Sequence, residues 1–149
     1  MILESAQIAC TALNLKGFTT PYKSTHVKHP CVLWAGASFA NLRWLKKLAR
    51  ALNREYRYRY RTSEDHSSLA VVDQIKGMRF ESAGLTDFPQ AMPEQYKVPG
   101  DPVQAYRNFY VGEKLQFARW TRRRRPAWIA EALRQQSASG DAENRAPEP

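Results

Sequence analysis

One long amphipathic segment, between Ser38 and Tyr58, constrains the fold more than any other part of the sequence. Its apolar residues recur three or four positions apart, as the residues on one face of a helix do. They are Leu42, Leu45, Leu48, Ala49, Leu52 and Tyr56. Ser38 is a suitable N-cap for this helix. The pattern predicts a helix whose apolar face is buried, and therefore a mainly α fold.

Three further helices are predicted on either side of this segment. Apolar residues at helical spacing indicate a first helix over 2–15, with Gly17 as its C-terminal stop. A weaker pattern predicts a helix over 67–76. A last helix begins at Asp101, which can cap it, and has an aromatic stripe that continues to Trp120. The expected fold class is a mainly α, compact single-domain helical bundle with long irregular loops.

Two segments rich in proline are predicted to be these loops. Pro21 and Pro30 forbid a continuous helix over 18–36, and the segment 78–100 has three prolines and two glycines. The polar segment 135–149 has no aromatic residue and is expected to be a disordered tail. Residues 1–134 are thus predicted to form one helical DNA-binding domain.

The sequence also predicts a cytoplasmic protein. No apolar run reaches the 18 or so residues of a membrane span, and the first ten residues do not have the pattern of a secretory signal. Cys10 and Cys31 are too few for a disulfide framework and are expected to be reduced thiols. His26, His29 and Cys31 lack a nearby fourth ligand for zinc, so we expect no metal and no cofactor.

The charge of the chain indicates a polyanionic partner. Its 149 residues include 23 Lys and Arg against 14 Asp and Glu, a net charge of +9. The last fifteen residues carry three acids and one arginine, so the preceding 134 carry +11. Such a field favours nucleic acid or an anionic membrane surface. Because the apolar face of the 38–58 helix is expected to be core, we predict nucleic acid, most simply duplex DNA, and no membrane partner.

Basic residues in two stretches are the expected phosphate contacts. They are Arg43, Lys47, Arg107, Lys114, Arg119, Arg122, Arg123 and Arg124. Around Arg57, Arg59 and Arg61, tyrosines alternate with the arginines, an arrangement that suits stacking on exposed bases. The alternative is a solvated helix face above core tyrosines. There is no phosphate-binding glycine loop, nucleophile elbow or paired-carboxylate metal site, so kinases, triad hydrolases and two-metal nucleases lack support.

Scattered positions resemble the phage-type pyrimidine-dimer DNA glycosylases. The resemblance lies in Leu3 to Gln7, in Tyr22 through His29-Pro30, in Leu45 to Tyr56 and in the ending Arg124 to Trp128. It implies a nearly all-helical enzyme that turns a nucleotide out of the duplex and cleaves first its base and then the strand. It also implies that Glu4 is the catalytic carboxylate, and that Tyr22, His26, His29 and Trp128 line the site or wedge the DNA.

The resemblance further implies an N-terminal α-amine that forms an imine with the sugar. In that family a leading segment separates the amine from the glutamate, whereas this sequence begins three residues before Glu4 and has Gln7 where a DNA-contacting arginine is expected. Three alternatives follow: a start placed too late, substitution by Lys28 or Lys114, or DNA binding without this chemistry.

The sequence therefore predicts a DNA-binding protein that resembles a glycosylase and AP lyase. The second interpretation is a non-enzymatic phage accessory or inhibitor protein that binds nucleic acid or a nucleoprotein complex through the same basic surface. In a third interpretation, the same basic surface binds RNA instead of DNA.

Overall fold

The computed structural model describes residues 1–134, which belong to two compact units with a boundary between Ala91 and Met92. About 58% of the described residues are helical, in six α-helices and shorter turns, and no strand occurs among them. The predicted mainly α class with long irregular loops is thus confirmed. The grouping of residues 1–134 into one domain stays a prediction, and the expected tail 135–149 lies outside the described residues.

Four α-helices build the first unit: α1 (Ile2–Asn14), α2 (Pro30–Ala37), α3 (Phe39–Tyr60) and α4 (Ser67–Gln74). Helix α1 packs against the other three. Small residues on α1, among them Ala6, Ala9 and Ala12, are fully or almost fully buried. Because small side chains let helix axes approach closely, α1 can lie at the centre of the unit.

Helix α3 confirms the prediction from the amphipathic pattern. The Ser38 hydroxyl accepts a hydrogen bond from the backbone N–H of Ala40 and caps the helix. Leu42, Leu45 and Ala49 face the core shared with α1 and α4. The helix extends two residues beyond the predicted end and stops at Arg61, whose backbone is left-handed.

Helix α2 corrects the prediction of a loop over 18–36. Pro30 occupies the first turn of a helix, where its fixed φ is favourable and its missing N–H is not needed. The ring of His29 caps that helix, with Nδ1 accepting from the backbone N–H of Cys31 at 3.1 Å. Gly36 lies inside α2 against Ala12 rather than at a break. The loop therefore ends at residue 29.

The irregular segment after α4 returns to cover the start of α3. The carbonyl of Glu81 accepts from the backbone N–H of Phe39, and the Ser38 hydroxyl donates to the carbonyl of Gly84 at 2.6 Å. The fully buried Asn41 binds both Trp34 and Thr86 through its side-chain amide. Backbone groups that a helix leaves unpaired at its N-terminus are thus satisfied by this segment.

The second unit contains α5 (Pro102–Phe109) and α6 (127–134). Asp101 caps α5 as predicted, accepting from the backbone N–H of Gln104 at 2.9 Å. The predicted aromatic helix does not reach Trp120, because α5 passes into a π-helical turn over Tyr110–Lys114 and a short 3-10 turn over Leu115–Phe117. The chain then becomes extended at Ala118.

Candidate nucleic-acid interface

Three cations form an exposed row on α3, which we call the basic stripe: Arg43, Lys47 and Arg54. Along the helix axis they are about 6 Å and about 10 Å apart, at 1.5 Å per residue. No side-chain hydrogen bond or ion pair joins any of them to another residue within 1–134. Their charges are therefore open to solvent and to an anionic ligand.

Other arginines of α3 are paired with carboxylates. The guanidinium of Arg50 lies 2.5 Å from Asp73, and that of Arg59 lies 2.7 Å from Glu55. Arg57 lies 3.4 Å from Asp65. The eight basic residues between 43 and 61 are thus not equivalent. Of the predicted phosphate contacts in this unit, Arg43 and Lys47 lie together on the basic stripe.

Arg54 was not among the predicted phosphate contacts, although its spacing places it on the same helix face. It follows Lys47 by seven residues, or about two helical turns. Recurrence at this spacing is a signal that could have identified it. Lys46 was also missed, and it differs from its neighbours because its side chain is buried.

Tyrosines at the end of α3 form a small aromatic group. The rings of Tyr56 and Tyr60 have centroids 5.0 Å apart, and the His66 ring lies edge-on to Tyr56 at 5.4 Å. Tyr60 is 72% exposed, whereas Tyr56 is half-buried. The predicted alternation of tyrosine and arginine thus contributes one half-buried ring, Tyr56, and two exposed rings, Tyr58 and Tyr60.

The predicted site residues of the 18–29 loop have local structural contacts. Tyr22 packs against the core and its hydroxyl lies 3.4 Å from the Ser68 hydroxyl. His29 caps α2. His26 is exposed, has a positive φ of 47°, and its Nδ1 is hydrogen-bonded to the Thr25 hydroxyl at 2.8 Å. Contact of these side chains with DNA stays a prediction.

Glu4, the predicted catalytic carboxylate, lies on the first turn of α1. Its side chain is 67% exposed, and its Oε2 is 3.5 Å from the Met1 ammonium group. No hydrogen bond or ion pair within the described residues joins Glu4 to the basic stripe. The stripe occupies a different face of α3 from the buried face that packs with α1. The structure therefore shows no direct contact between Glu4 and these cations within residues 1–134.

The predicted residues of the second unit cluster around aromatic rings. The Arg107 guanidinium lies 5.5 Å from the ring centroid of Trp128, which also meets the Tyr110 ring edge-on at 5.7 Å. Lys114 lies 5.1 Å from the Phe109 ring. These distances are within the range of cation–π attraction. Arg107 and Trp128 therefore contact each other within the second unit.

The remaining predicted arginines lie on the irregular segment between the 3-10 turn and α6. Arg119, Arg122, Arg123 and Arg124 are all exposed. Arg122 has a positive φ of 62°, at a turn of the backbone. Arg119 and the 122–124 run are thus on a loop, whereas Arg43 and Lys47 have a helix to fix their spacing.

Both cysteines are free thiols. Cys10 is buried, and burial raises the pKa of the Cys31 thiol above its ordinary value. A raised pKa lowers the thiolate fraction and hence the nucleophilicity of Cys31. Residues 1–134 contain no group of three or more His, Cys, Asp or Glu side chains placed to hold a metal ion. No helix in the same range is both long and apolar enough to cross a bilayer.

Comparisons of the chain with protein-family models, with curated proteins and with solved structures find no match. The resemblance to pyrimidine-dimer glycosylases therefore stays a prediction.

Proposed function

We propose that this protein binds nucleic acid, with duplex DNA as the first candidate, through the basic stripe of α3. The observation that carries the proposal is the contrast between the stripe and the rest of the helix. Arg43, Lys47 and Arg54 have no acidic partner within residues 1–134, whereas three other arginines of α3 have one. Unpaired cations in a row on a rigid helix form a track for a phosphate backbone.

The spacing of the stripe suits a polynucleotide. Successive phosphates of one strand rise by about 3.4 Å along the DNA axis, and each neutralised phosphate releases counterions. Steps of about 6 Å and 10 Å along α3 are on the scale of two and three such rises. A membrane surface is a poorer candidate, because Leu42, Leu45 and Ala49 bury the apolar face that insertion requires.

A salt titration of DNA affinity tests this proposal. The dissociation constant of a fluorescent 20-base-pair duplex is measured by anisotropy between about 50 and 300 mM salt. Three phosphate contacts alone predict a slope of log K against log salt of about −2.7, and further contacts make it steeper. An affinity that does not change with salt would contradict binding through the stripe.

The same assay separates the remaining ligands. Single-stranded RNA that binds more tightly than the duplex at equal salt favours the RNA interpretation. Duplex binding with no effect on a damaged strand favours the accessory interpretation, in which the protein acts by occupying nucleic acid or a nucleoprotein complex.

Catalysis is a separate proposal, which depends on the glycosylase resemblance. If an amine of the protein forms an imine with an abasic sugar, borohydride reduces the imine to a stable adduct that migrates slowly on a denaturing gel. We expect an adduct with the wild type and less excision of a damaged base with Glu4→Gln, since a carboxylate stabilises a sugar cation. If no adduct forms while duplex binding persists, the lyase interpretation is wrong and the binding proposal stands.

A further inference from the structure

Lys46 is an unusual lysine, because its side chain is buried without an acidic partner. The residue is 5% exposed, although its sequence neighbour Lys47 is exposed. No hydrogen bond or ion pair to Lys46 occurs within the described residues. Buried lysines are rare unless they are paired, because removing a charge from water is costly.

The Phe39 ring lies beside the end of this side chain, and a second ring, Phe80, packs on Phe39. The Lys46 Nζ lies 5.4 Å from the ring centroid of Phe39, and Phe80 meets Phe39 edge-on at 5.9 Å. No fully buried side-chain nitrogen in the described residues lacks a partner. Since Nζ makes no hydrogen bond, it must be reachable by solvent. The residue as a whole is therefore buried, while its charged end keeps some contact with solvent.

The charged neighbours of Lys46 are cations. Burial, and then the positive charges of Arg50 and Arg79, lower the pKa of Lys46 below its ordinary value. Asp73 is bound to Nη2 of Arg50, and the Lys16 ammonium lies over the other ring, Phe80. Like charges gathered at a half-desolvated point repel one another, unless an anion lies between them.

We propose that Lys46 and Arg50, which are one helical turn apart on α3, form a binding site for one phosphate group. Arg50 keeps guanidinium donors other than the Nη2 contact with Asp73, and Nζ of Lys46 has donors that no protein group uses. Charge-assisted hydrogen bonds to an anion are strong where water is partly excluded. The site differs from the basic stripe, because Lys46 is buried whereas the cations of the stripe are exposed.

The phosphate has two possible sources: a small phosphate-bearing molecule, or the backbone of a nucleic-acid strand on α3. Acetylation with an N-hydroxysuccinimide ester distinguishes them. The rate at each lysine is read by peptide mass spectrometry, with no addition, with inorganic phosphate, or with duplex DNA, all at one ionic strength set with sodium chloride. Lys47 is the internal control for free phosphate, since it is adjacent in sequence and exposed. Because Lys47 lies on the basic stripe, the exposed Lys76 is the control for duplex DNA.

We expect inorganic phosphate to slow acetylation of Lys46 about tenfold at a concentration near nine times its dissociation constant, because only the unoccupied site reacts. Phosphate should change the rate at Lys47 by less than about twofold. Protection of Lys46, but not of Lys76, by duplex and not by free phosphate assigns the site to a strand. If neither probe protects Lys46, or if phosphate slows Lys46 and Lys47 equally, the proposal is wrong. Since the phosphate arm needs no DNA, it can succeed even if DNA binding fails.

A pair of variants provides a second measurement. Lys46→Met keeps an unbranched side chain beside the Phe39 ring and removes the charge, whereas Lys47→Met removes a charge from the exposed face. Phosphate should raise the melting temperature of the wild type and of Lys47→Met, but not that of Lys46→Met. The melting temperature without phosphate shows whether each variant folds. An equal phosphate effect in both variants would overturn the assignment.

Discussion

Replacement of Arg43, Lys47 and Arg54 together by glutamine should weaken duplex binding about 500-fold at 0.1 M salt. The figure follows from counterion release, since each lost phosphate contact removes about 0.9 from the slope of log K against log salt. The slope itself should become less steep by about 2.7. Glutamine has a helix propensity close to that of arginine and lysine, so the helix is expected to persist. Anisotropy titrations at several salt concentrations measure both quantities.

Arg59→Gln is the matched control for this variant. Arg59 is also on α3, but its charge is already compensated by Glu55 at 2.7 Å. Its removal should change affinity by less than about threefold, in keeping with the small contribution of exposed ion pairs. If Arg59→Gln weakens binding as much as a single stripe substitution, total charge rather than the stripe determines affinity. Circular dichroism of each variant checks that helix content is unchanged.

Local pattern was sufficient to predict the longest helices. The apolar positions of α3 recur at helical spacing, and Ser38 has the side chain that an N-cap needs. The same reasoning predicted α1 and the start of α5 at Asp101. These features depend on residues close in sequence, and for that reason they can be inferred without knowledge of the tertiary structure.

Helix α2 could not be predicted in the same way, because its signals are ambiguous. Proline begins helices as well as interrupting them, and Pro30 does the former. The residues Cys31 to Ala35 are apolar throughout, so no polar face reveals a period. The N-cap of α2 is His29, and histidine is not among the residues that usually cap helices. The helix exists because it packs against α1 and α3.

The identity of the unpaired cations depends on tertiary contacts. Arg50 and Arg54 look alike in sequence, being four residues apart on one helix. Only the position of α4 brings Asp73 to Arg50 and leaves Arg54 without such a partner in the described residues. Likewise, Lys46 is buried whereas the adjacent Lys47 is exposed, a difference that depends on how the rest of the unit packs around α3. The sequence predicts the net charge of this helix, but it does not predict which of its cations are paired, buried or exposed.

The substitution Asn41→Leu is expected to lower the free energy of unfolding of the first unit by about 3 kcal/mol. Asn41 is fully buried and makes three hydrogen bonds. Its Nδ2 donates to the Trp34 carbonyl at 2.8 Å and to the Thr86 hydroxyl at 2.9 Å, and its Oδ1 accepts from the Thr86 backbone N–H at 3.0 Å. Each bond contributes about 1 kcal/mol, and each partner left unpaired in a buried place adds to the loss.

The loss should be concentrated where the segment after α4 covers α3. Trp34 and Trp44 contact Phe88 with ring centroids 5.3 and 4.5 Å apart, so the aromatic cluster depends on the same segment. Amide hydrogen exchange should become faster at Thr86 and its neighbours before it does so in α1. Leucine has the same number of side-chain heavy atoms as asparagine and is larger, so the substitution leaves no cavity. The local effect then reports the lost hydrogen bonds together with the fit of the larger side chain.

Thr86→Val separates the hydrogen bond made by the Thr86 hydroxyl from the bond made by the Thr86 backbone N–H. This variant removes only the Nδ2 contact with the Thr86 hydroxyl and should lower stability by about 1 kcal/mol, since the other two bonds remain. Urea unfolding followed by tryptophan fluorescence measures both variants. For Asn41→Leu, a midpoint within experimental error of the wild type would mean that water replaces Asn41 at these groups. The segment would then be held mainly by its aromatic contacts and by Ser38, whose hydroxyl donates to Gly84 at 2.6 Å.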